Sequence, residues 1–548
     1  VNSSMGHGGV SDTVNARVNP PFADGWPQST YAFIKASPAF GDIDTAYPGL
    51  EIVAGDNKGN IWAWHYDGTP VVGDGRIFHF GYQFTYPEEL WSTAAIGDIN
   101  DDGLLEIVFG ARRDTSNLYC IDGNGTVLPG WPQTVPGRII GSTALADIDE
   151  DGDLEIFVLS ENYGDIYAFH HDGTGVYAPN GLLYDLPGKC YSTPAIGDID
   201  CDGDLEIVSL GGGTSDSLYV WDRNGNILED FFPVHIPDSN LVYDVVLADI
   251  VGDERLEILF CQFVHNKLYV LDAQGNTVWI RDLPYVAGLP SYPVTADING
   301  DGRPEVLCND QKGFFVFDSL GNDVVPFPDT TFDSGLSIVA NVDDNPGMDI
   351  MVMWSDCWRL RCISYDNQPV PGFPLQYGHS FIGSPAVYDI DADGKLELMV
   401  ATYDELFYVY DLEASQWDYP KFRFDPYNTG TYDRRQPSAP YISTAQKIGQ
   451  DVRFTWNTIT TDEYGAPELM HGYVVYRSTS PDFEAVHTDS IGIVLQPDTT
   501  YRDVGVLNGS ASYYYCVRAV DWARNKSERS NVAYAFRKQF NENTSTTD

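Results

Sequence analysis

An acidic motif recurs along most of the chain at a nearly constant interval. It is clearest after Ser92, Ser142, Ser192 and Ser384, where a short apolar stretch leads into D-x-[DN]-x-D-G-x-x-E and then an apolar run. The copies begin at Asp42, Asp98, Asp147, Asp198, Asp249, Asp297, Asn341 and Asp389. Successive copies are about 50 residues apart, and an all-β repeat of about 40–50 residues is typical of propeller blades. The repeat therefore restricts the fold to an array of similar copies of one structural unit.

One unit contains the pattern of four β-strands. In the copy after Ser142, small apolar residues precede the acidic loop and a continuous apolar run follows it at residues 154–159. Alternating residues from Ile166 then end at the Asp172-Gly173 turn, a strong hairpin signal, and an outer strand completes each unit. No segment has helical periodicity. The sequence predicts an all-β fold, with an eight-bladed β-propeller of four-stranded antiparallel blades over residues 30–432.

The N-terminal segment, residues 1–29, contains a second copy of an outer-strand end. Residues 24–28 read DGWPQ, and residues 129–133 read PGWPQ. No blade precedes the first of these, so we expect it to complete the last blade and to close the ring by covering an open sheet edge. The alternative is a remnant of a preceding segment that processing removes.

Five of the loops match the acidic pattern in full. Alternating acids put oxygens on one side of a tight loop, the glycine permits the turn, and the glutamate can close the shell bidentately. Hard oxygen ligands of this kind favour Ca²⁺ over Mg²⁺ or a transition metal. The glutamate stands at position 9 between strands, unlike that of an EF-hand. The predicted ligands are Asp98, Asn100, Asp102, Glu106, Asp147, Asp149, Asp151, Glu155, Asp198, Asp200, Asp202, Glu206, Asp297, Asn299, Asp301, Glu305, Asp389, Asp391, Asp393 and Glu397.

Three loops are degraded versions of the pattern. The first has one extra residue, the fifth has Val251 at the third position, and the seventh replaces several acids by amides. We expect weaker metal binding there, at Asp42, Asp44, Glu51, Asp249, Asp253, Glu257, Asn341, Asp343, Asn345 and Asp349. The predicted cofactor is calcium, with about five firm sites and up to eight in all.

Net charge agrees with a cation-binding ring. The 548 residues hold 31 Lys+Arg and 80 Asp+Glu, a formal charge of −49. Residues 437–548 hold 10 basic and 13 acidic residues, so 21 basic and 67 acidic residues, net −46, belong to residues 1–436. This charge opposes binding to nucleic acid or to an anionic membrane surface. No apolar run approaches the ~18 residues of a membrane span.

These repeats resemble the FG-GAP/VCBS repeat family, which includes the integrin α-subunit propeller and many secreted bacterial proteins. The resemblance covers roughly residues 30–430 and rests on the eight loops quoted above. It implies that each calcium loop joins the first and second strands of a blade, on one face of the ring. It also implies that the calcium is structural and that partners use the other face.

The repeat ends before residues 433–440, a charged, Pro-rich linker. Residues 441–536 contain alternating segments typical of a β-sandwich and resemble a fibronectin type III domain. The resemblance implies that Trp456 is the core tryptophan and that Tyr513 or Tyr515 is the tyrosine corner. Residues 537–548 have the composition of a flexible tail.

No G-x-S-x-G, H-E-x-x-H or P-loop motif occurs, so we expect a chain that is not an enzyme. The favoured function is a secreted or cell-surface binding, adhesion or assembly module. The family, a start at Val1 that indicates a processed product or a fragment, and loops suited to extracellular calcium support this location. The alternatives are a lyase-like polysaccharide-active propeller, the accessory C-terminal part of a secreted peptidase, and a subunit of an extracellular filament or surface layer.

The expected partners are proteins or carbohydrates at the cell surface or in the matrix, with self-association as a further option. An alternating aromatic stretch is one candidate partner surface, and inter-blade packing is its alternative explanation. Its residues are Phe78, Phe80, Tyr82, Phe84 and Tyr86. The pair His170-His171 falls at a strand end, where we expect a surface role.

Overall fold

A computed structural model describes residues 19–535 of the chain with short gaps. The gaps are residues 81–88, 114, 150, 162–163, 187, 191, 212–216, 237–243, 254, 263–264, 284–291, 302, 311–312, 325–336, 344–346, 355–357, 380–382, 392, 413–415, 420–424, 426–427, 430, 433–436, 449, 461–469, 481–482, 484, 486–489, 496–498, 507–512, 522–525 and 528. The described residues form strands and turns without an α-helix, which confirms the all-β prediction. None of them builds a helix that could span a membrane.

Eight sheets follow one another between residues 28 and 432. The first consists of β2 (Ala39–Gly41), β3 (Glu51–Gly55), β4 (Asn60–Trp64) and β5 (Arg76–His79). The second contains β6 (Ala95–Gly97), β7 (Glu106–Gly110), β8 (Thr115–Ile121) and β9 (Gln133–Pro136). The third contains β10 (Ala144–Ala146), β11 (Glu155–Leu159), β12 (Ile166–Phe169) and β13 (Leu182–Tyr184). The fourth contains β14 (Ala195–Gly197), β15 (Glu206–Gly211), β16 (Ser217–Trp221) and β17 (Val234–His235).

Three of the next four sheets include a strand from a distant part of the chain. The fifth contains β18 (Val246–Ala248), β19 (Glu257–Gln262), β20 (Lys267–Leu271), β21 (Thr277–Asp282) and β33 (Thr431–Tyr432). The sixth contains β22 (Val294–Ala296), β23 (Glu305–Asp310) and β24 (Gly313–Phe317). The seventh contains β25 (Ser337–Asn341), β26 (Asp349–Trp354), β27 (Arg359–Ser364), β28 (Leu375–Gln376) and β32 (Gln416–Tyr419). The eighth contains β29 (Ala386–Tyr388), β30 (Glu397–Ala401), β31 (Leu406–Asp411) and β1 (Gln28–Ser29).

The residues of each strand match how deeply that strand is buried. First strands such as AIG and ALA consist of alanine or glycine and one larger aliphatic residue, and all of their residues are buried. Second strands such as EIVFG and EIFVL are apolar along their length, because neighbouring sheets cover both of their faces. The exposed outer strand β21 alternates instead. This gradient explains why the second strands gave the clearest apolar signal.

The sheets pack face to face in circular order. One core layer joins the first and second sheets, through residues such as Val53 and Ile107, and similar layers join each later sheet to its successor. A further layer joins the seventh and eighth sheets to the first, through Met351, Val400 and Ile52. Face-to-face sheets arranged in a circle are the architecture of a β-propeller.

Hydrogen bonds before the first strands connect successive sheets. The N–H of Ser37 donates to Thr93 Oγ1 at 3.1 Å, and that of Thr93 donates to Ser142 Oγ at 3.0 Å. The series continues from Ser142 to Thr193 at 2.9 Å and from Thr193 to Asp244 at 2.6 Å. The Ser384 N–H donates to Ser37 Oγ at 2.8 Å, which joins the eighth sheet to the first.

Both ends of the ring segment pair with distant strands. Strand β1 adds to β31 of the eighth sheet, with Gln28 opposite Phe407. Strand β32 pairs with β25, and β33 runs parallel to β18. Between β32 and β33, Asn428 Nδ2 donates to the carbonyls of Thr93, Ala94 and Thr143 at 3.4, 3.3 and 3.0 Å. We call residues 416–432 the exit segment. It touches the first strands, or the residues before them, of several sheets.

Two further sheets lie beyond residue 441. One contains β34 (Ile442–Ile448), β35 (Asp451–Trp456) and β38 (Thr500–Asp503). The other contains β36 (Met470–Ser478), β37 (Ser490–Leu495), β39 (Tyr513–Asp521) and β40 (Ala533–Ala535). Both sheets contribute to one core, in which Trp456 packs on Tyr473 with ring centroids 5.2 Å apart. The Tyr515 hydroxyl donates to Asp503 Oδ2 at 2.7 Å.

Candidate metal centres

An acidic loop joins the first strand to the second in each of the eight sheets. Every second strand begins at the last predicted ligand of its loop: Glu51, Glu106, Glu155, Glu206, Glu257, Glu305, Asp349 and Glu397. All eight loops therefore lie at one end of their sheets, which we call the acidic face. The second-to-third-strand hairpins and the connections between sheets lie at the other end, which we call the hairpin face.

The carboxylate that begins each second strand is buried and bonded back to its own loop. One of its oxygens accepts the backbone N–H of the second loop residue at 2.8–3.1 Å in all eight loops. The donors are Ile43, Ile99, Ile148, Ile199, Ile250, Ile298, Val342 and Ile390. The degraded loops share this bond, so it belongs to the loop framework and not to a particular metal content.

The third loop illustrates how the acids are held. The N–H groups of Asp151 and Gly152 donate to the two carboxylate oxygens of Asp147 at 3.1 and 3.2 Å. Gly152 has φ of 99°, a left-handed conformation that favours glycine, with open space around it. The loop therefore turns sharply and leaves its remaining carboxylate oxygens for a ligand.

Among the described residues, three of the complete loops gather acids closely enough for one metal ion. Ligand atoms within 4.8 Å of one another come from Asp147, Asp149 and Asp151, from Asp198, Asp200 and Glu206, and from Asp389, Asp391 and Glu397. In the sixth loop the Asn299 amide instead donates to Glu305 Oε1 at 2.6 Å. In the second loop both Asp98 oxygens accept loop N–H groups, from Asp102 at 3.0 Å and Gly103 at 2.8 Å.

Two of these clusters contain a buried oxygen that lacks a hydrogen bond. Asp200 Oδ1 and Asp389 Oδ1 have no hydrogen-bond partner within the described part of the chain. A buried carboxylate oxygen without a partner is costly, and a bound cation would remove that cost. The donor set consists of hard oxygens, which suits calcium. The residues at these loops therefore fit the cation that the sequence predicts.

The electrostatics of the loops lead to the same conclusion. Burial, followed by neighbouring carboxylates and opposed by a backbone hydrogen bond, raises the pKa of Glu106 to about 7 and that of Glu155 to about 8. The same causes raise the pKa of Glu206 and of Glu397 to about 9, and that of Asp389 to about 6. Without a cation the four glutamates are at least partly protonated near neutral pH, and a divalent cation would take the place of those protons.

Two histidines face the buried glutamates, and sequence reasoning missed their role. His170 Nδ1 lies 3.0 Å from Glu155 Oε1, and the pair groups with Asp149 within 4.8 Å. His65 Nδ1 lies 2.9 Å from Glu51 Oε1, and its ring stacks on Tyr47 with centroids 3.7 Å apart. The sequence signal for these histidines was the turn after the third strand, which reads H-x-D-G-T in these two repeats and D-x-x-G in others. His171, by contrast, is only half-buried and pairs with Asp153 at 2.7 Å.

The degraded loops keep part of the arrangement. In the fifth loop Asp249 Oδ1 accepts the N–H groups of Gly252 and Asp253 at 2.6 and 3.2 Å. In the seventh, burial raises the pKa of Asp349 to about 7. Asn345 lies outside the described residues. Metal binding at these loops stays a prediction.

The aromatic stretch that was a candidate partner surface is described only in part. Phe78 and Phe80 pack against Tyr119 of the second sheet, with ring centroids 5.2 and 5.0 Å apart. They therefore take part in packing between the first two sheets, the alternative that the sequence also allowed. Tyr82, Phe84 and Tyr86 lie outside the described residues.

Comparisons with known proteins agree with this architecture. Residues 98–158, 147–209 and 198–260 match the FG-GAP-like repeat. The chain is 24% identical to Protein linkin of Caenorhabditis elegans over 39% of this chain and 42% of linkin, so it spans about two fifths of that relative.

Among solved structures, the fold is similar to the V. cholerae biofilm matrix protein Bap1, with a TM-score of 0.53 and 13% identity over 75% of this chain and 96% of that one. It is also similar to Saccharomyces cerevisiae Sqt1, with a TM-score of 0.50 and 9% identity over 72% of this chain and 100% of that one. At such low identity these likenesses concern the fold alone. With the circular packing of the sheets, the three repeat matches support an FG-GAP β-propeller, in agreement with the resemblance found in the sequence.

Proposed function

We propose that the chain is a calcium-stabilised propeller that acts outside the cell as a non-catalytic binding and adhesion module. The observation that carries the proposal is the acidic face, where clustered carboxylates with raised pKa values lie at one end of the sheets. A cation would neutralise this face and leave the hairpin face for partners.

In this proposal the eight sheets are the eight blades of one closed ring. The circular core layers, the Ser384–Ser37 hydrogen bond and the pairing of β1 with β31 support it. Residues 441–536 are proposed to be a fibronectin type III-like domain. Their two sheets with a shared core and the buried Trp456 support that assignment.

Calcium would be held by the five complete loops, with the buried glutamate of each as its base. The calcium ion would neutralise the charge of the loop and link the two strands that flank it, which would stabilise the fold. Each loop offers four oxygen-bearing side chains, and a carboxylate can bind through both oxygens, so the protein would supply most of the roughly six to eight ligands of calcium and leave little room for a substrate. This ligand set supports a structural metal and a chain that is not an enzyme.

The location and partners follow from the same chemistry. Sensor and buffer sites for cytosolic calcium are tighter than extracellular modules, which work at roughly millimolar levels. Bap1 is named a biofilm matrix protein, and a surface or matrix role of that kind would suit this chain. We propose protein or carbohydrate partners and, in the assembly variant, other copies of the chain.

Calorimetric titration of the chelator-treated chain with calcium tests the proposal. We expect about five sites filled at millimolar calcium and a rise in melting temperature. Glu206→Gln should remove one site, whereas Glu229→Gln, an equal charge change at an exposed turn of the same sheet, should remove none. Absence of calcium binding, or equal loss in both variants, would refute the proposal.

A further inference from the structure

Aromatic rings from separate loops meet on the hairpin face. Trp358 precedes the third strand of the seventh sheet, His379 follows that sheet, Tyr403 lies in the hairpin of the eighth, and Phe33 leads into the first. Ring centroids are 5.6 Å apart for Trp358 and His379, 5.9 Å for His379 and Tyr403, and 5.3 Å for Phe33 and Tyr403. We call these four side chains the aromatic row.

Three side chains of the aromatic row are exposed, and that of Tyr403 is half-buried. Trp358 is 42% exposed, Phe33 is 39% exposed, and the nearby Tyr31 is 67% exposed. Exposed large aliphatic side chains of the described residues lie elsewhere: Val72, Leu104 and Leu320 at the acidic face, Val278 and Ile280 on β21, and Ile448 and Val504 beyond residue 441. Aromatic side chains are also enriched in protein interfaces, so a protein is the competing ligand class.

The backbone at one ring of the row, Trp358, and at the nearby Tyr31 is in a strained conformation. Trp358 has φ of 55° and Tyr31 has φ of 54°, in the left-handed region that bulky residues avoid. At the position just before the third strand, where Trp358 stands, the first sheet has Gly59 and the fifth has Asn266. Strain of this kind is concentrated at functional sites. The left-handed turn itself recurs in other sheets, so it is the exposed tryptophan in it that points to a role other than folding.

Polar groups flank the row at its Phe33 end. Lys35 Nζ lies 3.8 Å from the centre of the Trp91 ring, and the Arg112 guanidinium lies 4.0 Å from it. Glu89 accepts from the Trp91 indole at 2.6 Å and from Arg112 at 3.2 Å. These contacts hold a charged, hydrogen-bonding rim beside the exposed rings.

We propose that the aromatic row binds a neutral polysaccharide, an inference that rests on the proposed binding function and gives it a ligand class. Pyranose rings present apolar C–H faces that stack on aromatic rings, and their hydroxyls suit a polar rim. The formal charge of −49 disfavours polyanions as ligands. The acidic loops lie on the opposite face, so a neutral chain can bind without displacing calcium.

Native electrophoresis in gels that contain a soluble neutral glycan tests this inference. The probes are a β-1,3-glucan, a β-1,4-mannan and a xylan, with alginate as the anionic comparison, all in millimolar calcium. We expect at least one neutral glycan to retard the wild-type chain. Trp358→Gly removes the ring and relieves the strained φ, so it should fold and weaken binding on the order of tenfold. Phe33→Ala should weaken binding in the same direction.

Tyr365→Ala is the matched control, because Tyr365 is 38% exposed but lies in a hairpin on the acidic face. It should bind as the wild type does. The inference would be overturned if Trp358→Gly, Phe33→Ala and Tyr365→Ala were all retarded to the same extent. It would also be overturned if no neutral glycan retarded the wild-type chain. In the second case an intact calcium titration would leave the proposed function standing.

Two other outcomes would be decisive. A protein ligand that Trp358→Gly alone abolishes, without any glycan binding, would replace the polysaccharide by a protein partner. Release of reducing ends from a glycan would instead refute the non-catalytic function itself.

Discussion

At the scale of single residues, the main feature is the buried carboxylate that begins each second strand. It follows an apolar first strand, accepts an N–H from its own loop and faces other acids across a few ångströms. Burying one carboxylate is costly, and burying it beside others is more so. The loops therefore gather negative charge that a bound cation would neutralise.

The raised pKa values predict how the chelated chain responds to pH. Glu106, Glu155, Glu206 and Glu397 keep their protons up to a pH of about 7 to 9 in the folded state, whereas the unfolded state releases them near 4.5. The unfolded state then binds fewer protons, so stability falls as pH rises from about 5 to 9. In EDTA the melting temperature should fall by several degrees over this window. In excess calcium the slope should flatten, and an equal slope in both buffers would contradict the assignment.

Sequence reasoning located the loop acids because their spacing is local. The period of the repeat and the position of each glutamate are both visible in one copy of about ten residues. The contacts of His65 and His170 were missed because each histidine meets its glutamate across two strands, 14 and 15 residues away. The sequence of the turn that carries each histidine was visible, but the glutamate that the histidine contacts could not be identified from it.

At the scale of elements, two matching turns connect neighbouring sheets. Trp26 Nε1 donates to the Tyr66 carbonyl and Trp131 Nε1 donates to the His171 carbonyl, both at 2.7 Å. The repeated GWPQ segment thus makes the same contact twice, once from the second sheet and once from the start of the ring. Each copy rests on the turn after the third strand of the next sheet.

Gly130 is the residue that makes this docking tight. Its φ is 87°, and a Cβ there would lie 1.9 Å from the Asp172 carbonyl oxygen. Gly130→Ala should lower the free energy of unfolding by about 2–4 kcal/mol, through backbone strain and overpacking together. Gly73 also has a positive φ, of 58°, but a Cβ there would meet no atom within 4 Å. Gly73→Ala therefore measures the cost of backbone strain alone. Equal losses for the two variants in denaturant melts would show that the docking contact contributes nothing.

The exit segment depends on one amide. Asn428 Nδ2 is buried and donates to three carbonyls of the second and third sheets. Asn428→Asp keeps the size of the side chain and removes the donor, so we expect a loss of about 1–3 kcal/mol in stability. Thermal melts in saturating calcium measure it. Asp230→Asn, an exposed change between the same two residue types, should have no effect.

At the scale of the whole molecule, the ring and the C-terminal sheets have separate cores. The clusters that contain Trp456 and Tyr476 draw only on residues beyond 441, and the other clusters draw only on residues before 413. The order of the eight sheets was predictable from their repeat. The aromatic row was not, because its members stand far apart in sequence and meet only when the seventh and eighth sheets pack against the first.

Truncation tests the separation of the cores. A chain that ends at residue 436 keeps the exit segment and should retain the ring. Its melting transition and its calcium stoichiometry should match those of the full chain, as measured by scanning calorimetry and titration. Aggregation of the truncated chain would indicate that the two parts share a core.

The pairing of β1 with β31 sets an order of events during folding. Gln28 and Phe407 are partners although 379 positions separate them, and Thr431 must reach Leu247 as well. Contacts at such separations form slowly, since a long loop must close before they yield any energy. A chain that emerges from its N-terminus can complete most of its sheets one by one, but it cannot seal the circle until residue 432 has been delivered. Until then the fifth and seventh sheets lack their distant edge strands β33 and β32, and the first sheet leaves one apolar face uncovered, so the interval between synthesis and closure is when this protein is most exposed to aggregation.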